Sequence, residues 1–319
     1  MPNFVDIKLD DWKEQYEVHP DGQFITTASK QAGRVCRTVT ETIFNSIKNI
    51  NHNDLPRLII AFGKCRVGST ALTNAVGRSG MASYFQPFKS ILRQTLCDEH
   101  DPSHLEGVWS QKTVFCKEMF GPYTEFESRW NPFQSLIELG YPPSKLTLVW
   151  LERDPIDSLI SWRRYWSPVV AQDTLLRHFQ MASRTANQVA TDFTAYGARV
   201  LRFNYESLRS NPDAIFHLLD AIDVIPIQRS KVVEWGAGGD LSSEKSSIIF
   251  TKEPEVYGAV KVHSNRSKFD YVPQVKEPLD EQATEAIFAA DLYRIFEEHR
   301  TNCVAGSKVL VPANSGAEG

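Results

Sequence analysis

Leu58-Ile59-Ile60-Ala61-Phe62-Gly63-Lys64-Cys65-Arg66-Val67-Gly68-Ser69-Thr70 decides the reading of this chain. Leu58–Phe62 is a continuous apolar run, the pattern of a parallel strand covered on both faces. A helix is predicted from Ser69 to Ser79, with Gly80 as its natural stop. Between them, successive backbone N–H groups and a helix N-terminus converge on one spot, and Ser69 and Thr70 add hydroxyl donors. Such a turn binds a phosphate-like anion. Lys64, Cys65, Arg66, Val67, Gly68, Ser69 and Thr70 are therefore candidate ligand-binding residues. The alternative is a strand–turn–helix corner with incidental glycines.

Outward from this segment, strands alternate with helices. Thr113–Lys117, Leu146–Leu151 and Arg199–Phe203 read as further strands. Helices are predicted near Val39–Ile47 and over Trp130–Leu139, Asp154–Trp166, Asp173–Tyr196 and Leu279–Glu298. Asp154 is a natural N-cap with Pro155 at the first helical position. Leu175, Phe179, Ala182, Ala186, Val189, Phe193 and Tyr196 recur at threes and fours before Gly197. This order predicts an α/β fold of three layers, a parallel sheet flanked by helices on both faces, with ligands at the carboxyl ends of the strands. Residues 1–50 are expected to form an extension packed on the core, and residues 304–319 a disordered tail.

The chain has 319 residues, 42% hydrophobic and 23% charged, which allows a sizeable core. A net charge of −4 argues against a general nucleic-acid binder but permits a local basic pocket. No run approaches the ~20 apolar residues of a membrane span. The opening MPNFVDIKLDDWKEQY has no apolar core of an export signal. Five widely spaced cysteines at 36, 65, 97, 116 and 303 suggest reduced thiols and a cytoplasmic protein.

The loop nearly matches the nucleotide-binding pattern GxxxxGK[ST], but Ser69 stands where that pattern has its lysine. The basic residues lie inside the loop, at Lys64 and Arg66. A second motif follows the strand LTLVWL: Arg153 at the strand end, and Ser161 eight residues on in the next helix. A third is Tyr205-Glu206-Ser207-Leu208-Arg209-Ser210-Asn211-Pro212. Together, over Leu58–Pro212, these resemble the sulfotransferase superfamily that uses 3′-phosphoadenosine 5′-phosphosulfate. Arg66-Val67-Gly68-Ser69-Thr70 is similar to its basic-x-G-[ST]-T loop. Arg153 and Ser161 are similar to its arginine–serine pair, and Tyr205–Pro212 to its structural YE-x-L-x-x-[DN]-P segment.

The resemblance implies a P-loop-type sulfotransferase domain over residues 51–303. It implies sulfuryl transfer from that donor, without a metal, to a hydroxyl or amine of a small-molecule or carbohydrate acceptor. Arg153 and Ser161 would grip the 3′-phosphate. Arg66, with Lys64 and Lys117, would stabilise charge on the bridging oxygen. A basic loop containing Lys261, Arg266 and Lys268 would close on the 3′-phosphate, with Arg266 as a further binding residue. For Arg153 the alternative is a salt bridge with Asp154 or Asp157.

The catalytic base is open, because the region after the first helix, Ser83–Lys89, holds no acid and no histidine. Glu118 is the first choice, then His100 and His104. Adjacent strand residues face opposite ways, so Lys117 and Glu118 can share the site only if the strand ends at Lys117. Tyr84, Phe85, Phe88, Phe120, Tyr123 and Trp162 are candidates for an acceptor pocket or for core. Two rivals remain: a P-loop kinase of a small metabolite, which lacks its lysine here, and a nucleotide-binding protein without catalysis.

Overall fold

The computed structural model describes residues 13–14, 30–168, 170–211, 213–224, 228–234, 239–240, 246–254, 257, 264–265 and 279–304. Its centre is a six-stranded, all-parallel sheet. The strands are β1 (Arg57–Lys64), β2 (Ser83–Phe85), β3 (Thr113–Phe120), β4 (Leu146–Glu152), β5 (Arg199–Asn204) and β6 (Ile249–Phe250). They lie in the order β5-β4-β1-β3-β2-β6.

The apolar run of β1 is continuous because both of its faces are covered. Leu58, Ile60 and Phe62 join a core with Leu148 and Trp150, facing helices α1 (Ala32–Ile47), α3 (Pro87–Leu96), α6 (Pro132–Glu138) and α8 (Gln172–Tyr196). Ile59 and Ala61 face the other way, against Leu72, Ala75 and Val76 of α2 (Ser69–Arg78) and Ile215, Leu218 and Leu219 of α10 (Ala214–Ala221). The sandwich is three layers, α/β/α. Among the described residues no helix is long and apolar enough to cross a membrane, and no cysteine is in a disulfide.

Local signals place the helix ends. Asp154 caps α7 (Pro155–Trp166) by accepting the Asp157 N–H at 3.0 Å. Gly197, at φ 88, stops α8. The helix expected from Trp130 starts at Pro132, because the Asn131 side chain accepts the Phe133 N–H and makes Asn131 the cap.

The expected C-terminal helix is two, α12 (Glu281–Ala289) and α13 (Leu292–Thr301), broken where Asp291 adopts φ 64. The buried positions explain the break: Ala283, Ile287 and Ala290 keep helical spacing, then Leu292, Ile295 and Phe296 start a new register. Residues two apart lie on opposite sides of a helix, so one straight helix cannot bury both sets. Strand β3 runs three residues beyond the expected Lys117, paired with β1 as far as Lys64 opposite Phe120.

Six smaller helices are not among those expected: α3, which packs beside α1, α4 (His104–Trp109), α5 (Glu125–Arg129), α9 (Ser207–Ser210), α10 and α11 (Arg229–Val233). Helix α1 buries Val35, Val39, Ile43 and Ile47 in the larger core.

Candidate functional site

The Gly63–Thr70 loop leaves the carboxyl end of β1 and enters α2. Gly63 has φ 148, and a Cβ there would stand 2.3 Å from the Leu151 carbonyl oxygen. Gly68 has φ 82, and its Cβ would stand 2.5 Å from the Tyr205 ring. Both positions need glycine for conformation and for space. Arg66 takes the left-handed conformation at φ 70 without that freedom, at a cost of about 1–3 kcal/mol. No side chain caps α2, and its first turn carries no acid. Its positive end and first N–H groups therefore face the loop.

Three segments meet over this loop. The Arg66 Nε–H donates to Ser161 Oγ at 2.9 Å, and the Arg66 guanidinium lies 4.2 Å over the Tyr165 ring. Ser161 and Tyr165 are both on α7. Arg153, just past β4, donates from Nη1 to the Arg66 carbonyl at 3.3 Å and packs over the Tyr205 ring at 5.2 Å. The alternative salt bridge exists at its outer limit, Arg153 to Asp157 at 3.9 Å. Arg153 is 6% exposed, and its buried Nε–H has no hydrogen-bond partner. Trp162 Nε1–H holds the Cys65 carbonyl at 2.8 Å, tying α7 to the loop. Arg66, Arg153 and Ser161 are thus brought together, along with Cys65, Val67, Gly68, Ser69 and Thr70 of the loop.

Lys64 lies apart from them, beneath the loop. Its ammonium pairs with Glu152 and donates to the Arg153 carbonyl at 3.3 Å, and the side chain is 2% exposed. Burial pulls it down to about 7, while the carboxylates of Glu206 and Asp154 oppose that shift. Its amine supports the end of β4 and does not reach into the loop.

Because β3 stays regular, Lys117 and Glu118 face opposite ways. Both Glu118 oxygens accept backbone N–H groups at the start of α3, Phe88 at 2.7 Å and Lys89 at 3.1 Å. Glu118 is a helix-capping carboxylate with both oxygens engaged. Burial pushes it up to about 8, against those two bonds.

Lys117 is 4% exposed, with its ammonium 3.5 Å over the Phe85 ring and no ion pair among the described residues. Burial pulls it down to about 7. The Cys65 and Glu253 side chains raise it, and the Lys89 and Arg93 charges lower it.

His104 Nε2 donates to the Pro87 carbonyl at 2.8 Å, and burial lowers its basicity. His100 is exposed. Lys261, Arg266 and Lys268 lie outside the described residues. Tyr84, Phe88, Phe120, Tyr123 and Trp162 belong to the larger core.

A charged cluster beside Lys117 has no signature in the sequence. Arg93 of α3 donates Nε–H to Glu127 of α5 at 2.6 Å and Nη1–H to Glu253 at 2.7 Å. Lys89 donates to the Met119 carbonyl at 2.8 Å and to the Gly121 carbonyl. The Arg93 guanidinium lies over the Tyr257 ring at 4.3 Å and the Tyr123 ring at 5.5 Å. Arg93 and Glu253 are 160 residues apart in sequence, so no local pattern announces the pair. No family model, no curated protein and no solved structure matches the chain.

Proposed function

We propose that this chain transfers a sulfuryl group from 3′-phosphoadenosine 5′-phosphosulfate to a hydroxyl or amine of a small-molecule or carbohydrate acceptor, by in-line displacement. The observation that carries the reading is the meeting of Arg66, Arg153 and Ser161 above the uncapped start of α2. Two separate groups of donors result. One is the loop with the N–H groups and hydroxyls of Ser69 and Thr70. The other is Arg153, whose Nε–H is unmatched, with Ser161, whose hydroxyl accepts from Arg66 and keeps its own O–H to donate. That set fits a molecule with anionic groups at both ends of a nucleoside.

The donor supplies an activated sulfur–oxygen bond. The acceptor oxygen forms a bond to sulfur as the bridging bond breaks, and the electron pair leaves on adenosine 3′,5′-bisphosphate. The chain contributes positioning and charge. Arg66 stands in the loop where the bridging oxygen would lie, and Lys117, with no ion pair among the described residues, brings its amine to the same sheet edge. The acceptor proton needs a base, and Glu118 is turned away from that edge. The kinase alternative loses ground further, because Lys64 is held by Glu152 and cannot replace the lysine missing at Ser69. A cytoplasmic setting and a metal-free reaction belong to the same proposal.

Calorimetry tests it. Adenosine 3′,5′-bisphosphate should bind about ten- to a hundredfold more tightly than AMP, since a charge-assisted contact contributes about 1.5–3 kcal/mol. Arg153→Ala should erase most of that ratio. Equal affinities in the unaltered protein would overturn the two-group reading. A nucleotide-binding protein without catalysis would bind the bisphosphate yet add no sulfuryl mass to any component of a metabolite extract given the donor.

A further inference from the structure

We propose that Glu253 is the catalytic base that takes the proton of the acceptor hydroxyl. This rests on the transferase reading and names a residue that reading leaves open.

The segment from Ile249 to Glu253 straps the carboxyl end of β2. Strand β6 pairs with β2, placing Phe250 beside Phe85, and Thr251 Oγ1–H donates to the Phe85 carbonyl at 2.9 Å. Gln94 of α3 donates to the Lys252 carbonyl at 3.0 Å. Glu253 is thereby delivered to Gln86, whose Nε2–H donates to Glu253 Oε1 at 3.2 Å. The backbone N–H of the same Gln86 donates to the Lys117 carbonyl at 2.8 Å, and the Lys117 ammonium covers the neighbouring Phe85 ring. The Glu253 carboxylate and the Lys117 ammonium therefore hang from one two-residue step, Phe85–Gln86, at the edge where Cys65 and the loop emerge.

Among the described residues, the other carboxylates at this end of β2 and β3 are sealed. Glu127 has a side chain 0% exposed and engaged with Arg93 and Lys89, and Glu118 caps α3. The Glu253 side chain is 19% exposed. Each of its oxygens accepts one donor, Gln86 or Arg93, and a carboxylate has about four acceptor positions, so a further O–H can be received. Arg93 and Gln86 fix the direction in which the carboxylate points. Among the described residues, the charged and titratable groups around it are Arg93 and Lys89 of α3, Lys117 of β3 and Glu127 of α5, with Tyr123 and Tyr257. In the step, the acceptor O–H proton moves to a Glu253 oxygen as the oxygen–sulfur bond forms and the bridging bond breaks.

The test measures label transfer from radiolabelled donor to a polar-metabolite extract at saturating donor. Calorimetry with adenosine 3′,5′-bisphosphate and a thermal melt are run beside it. Glu253→Gln should lose about a hundredfold or more in rate, with bisphosphate affinity retained. The acid limb of the wild-type pH–rate profile should vanish in the variant. A loss above about tenfold confined to turnover supports the proposal. A smaller loss, or one matched by loss of bisphosphate affinity, overturns it. Should Glu253→Gln fail to fold, Glu253→Asp is judged by the same line, since it keeps the charge but withdraws the carboxylate. Wild-type protein that binds bisphosphate without moving label would instead overturn the transferase reading, and the base with it.

Discussion

Glu118→Gln asks whether the carboxylate after Lys117 builds the fold or takes part in chemistry. In the structure its two oxygens accept the N–H groups of Phe88 and Lys89 at 2.7 and 3.1 Å, and the side chain is buried. Glutamine keeps one acceptor oxygen and turns an NH2 group toward the other backbone N–H. One hydrogen bond is then lost, and a buried donor is left facing a donor, which costs about 1–3 kcal/mol on its own. A loss of about 2–4 kcal/mol in unfolding free energy follows, read from urea transitions followed by circular dichroism. Amide exchange at Phe88 and Lys89 should accelerate, because the first turn of α3 loses its cap. Bisphosphate affinity should stay within about threefold and turnover within about tenfold, because the loop, Arg153 and Ser161 are on other elements. A fall in turnover of about a hundredfold or more at unchanged stability would refute this reasoning and make Glu118 the base.

Two further predictions follow from backbone and burial. Gly68→Ala places a methyl group 2.5 Å from the Tyr205 ring at φ 82. The left-handed cost of about 1–2 kcal/mol and an overpacking cost of about 1–3 kcal/mol add to roughly 2–5 kcal/mol in chemical denaturation. A double-mutant cycle with Tyr205→Ala should return about 1 kcal/mol or more of coupling, and a cycle that closes to zero would show that the ring does not meet the loop. His299 is fully buried with Nε2–H on the Trp150 carbonyl at 2.9 Å, and burial pulls it from 6.5 to about 3. The unfolded chain takes up this proton below pH ~6.5 and the folded one does not, so stability is lost as pH falls from ~6.5 toward ~3, at up to about 1.4 kcal/mol per pH unit. His299→Gln should flatten the stability-versus-pH slope over that window by about this amount, and equal slopes would refute it.

The parts of the fold legible in the sequence are those whose cause is local. The run Leu58–Phe62 is apolar on both sides because helices cover both faces. Asp154–Pro155 carries its own cap, and α8 carries its stripe and its terminal glycine. Helix α3 was hidden because its N-terminus is capped by Glu118, thirty residues later on another strand. The break at Asp291 is written only in the change of spacing between Ala290 and Leu292. The loop, Arg153 and Ser161 could be placed in one site from their positions after strands. The sequence could not show that Arg66 would lie on Ser161, or that Lys64 would turn down to Glu152. The alternation rule separated Lys117 from Glu118 but could not say which face held the ligand. That depended on Phe88, Arg93 and Glu253, which no periodicity links.

Three local costs fall together at the carboxyl edge of β1, β3 and β4. Arg66 holds a left-handed backbone without glycine, Arg153 buries an unmatched Nε–H, and Lys117 buries an ammonium with no ion pair among the described residues. The unmatched guanidinium nitrogens of Arg78, Arg163 and Arg202 belong to residues that remain partly exposed, whereas Arg153 is buried. A core that only needed filling would replace such groups, because a buried donor without a partner costs about 1–3 kcal/mol and more when charged. Sites that break several local rules at once are where function is found. All three residues are cationic, and the open end of α2 points into the same space. Under the proposed function, an anion with one group in the loop and a second against Arg153 answers the buried charges of Arg153 and Lys117, while the backbone cost at Arg66 stays. The same reasoning sets the order of experiments, because bisphosphate binding tests the anion seat before any acceptor is known.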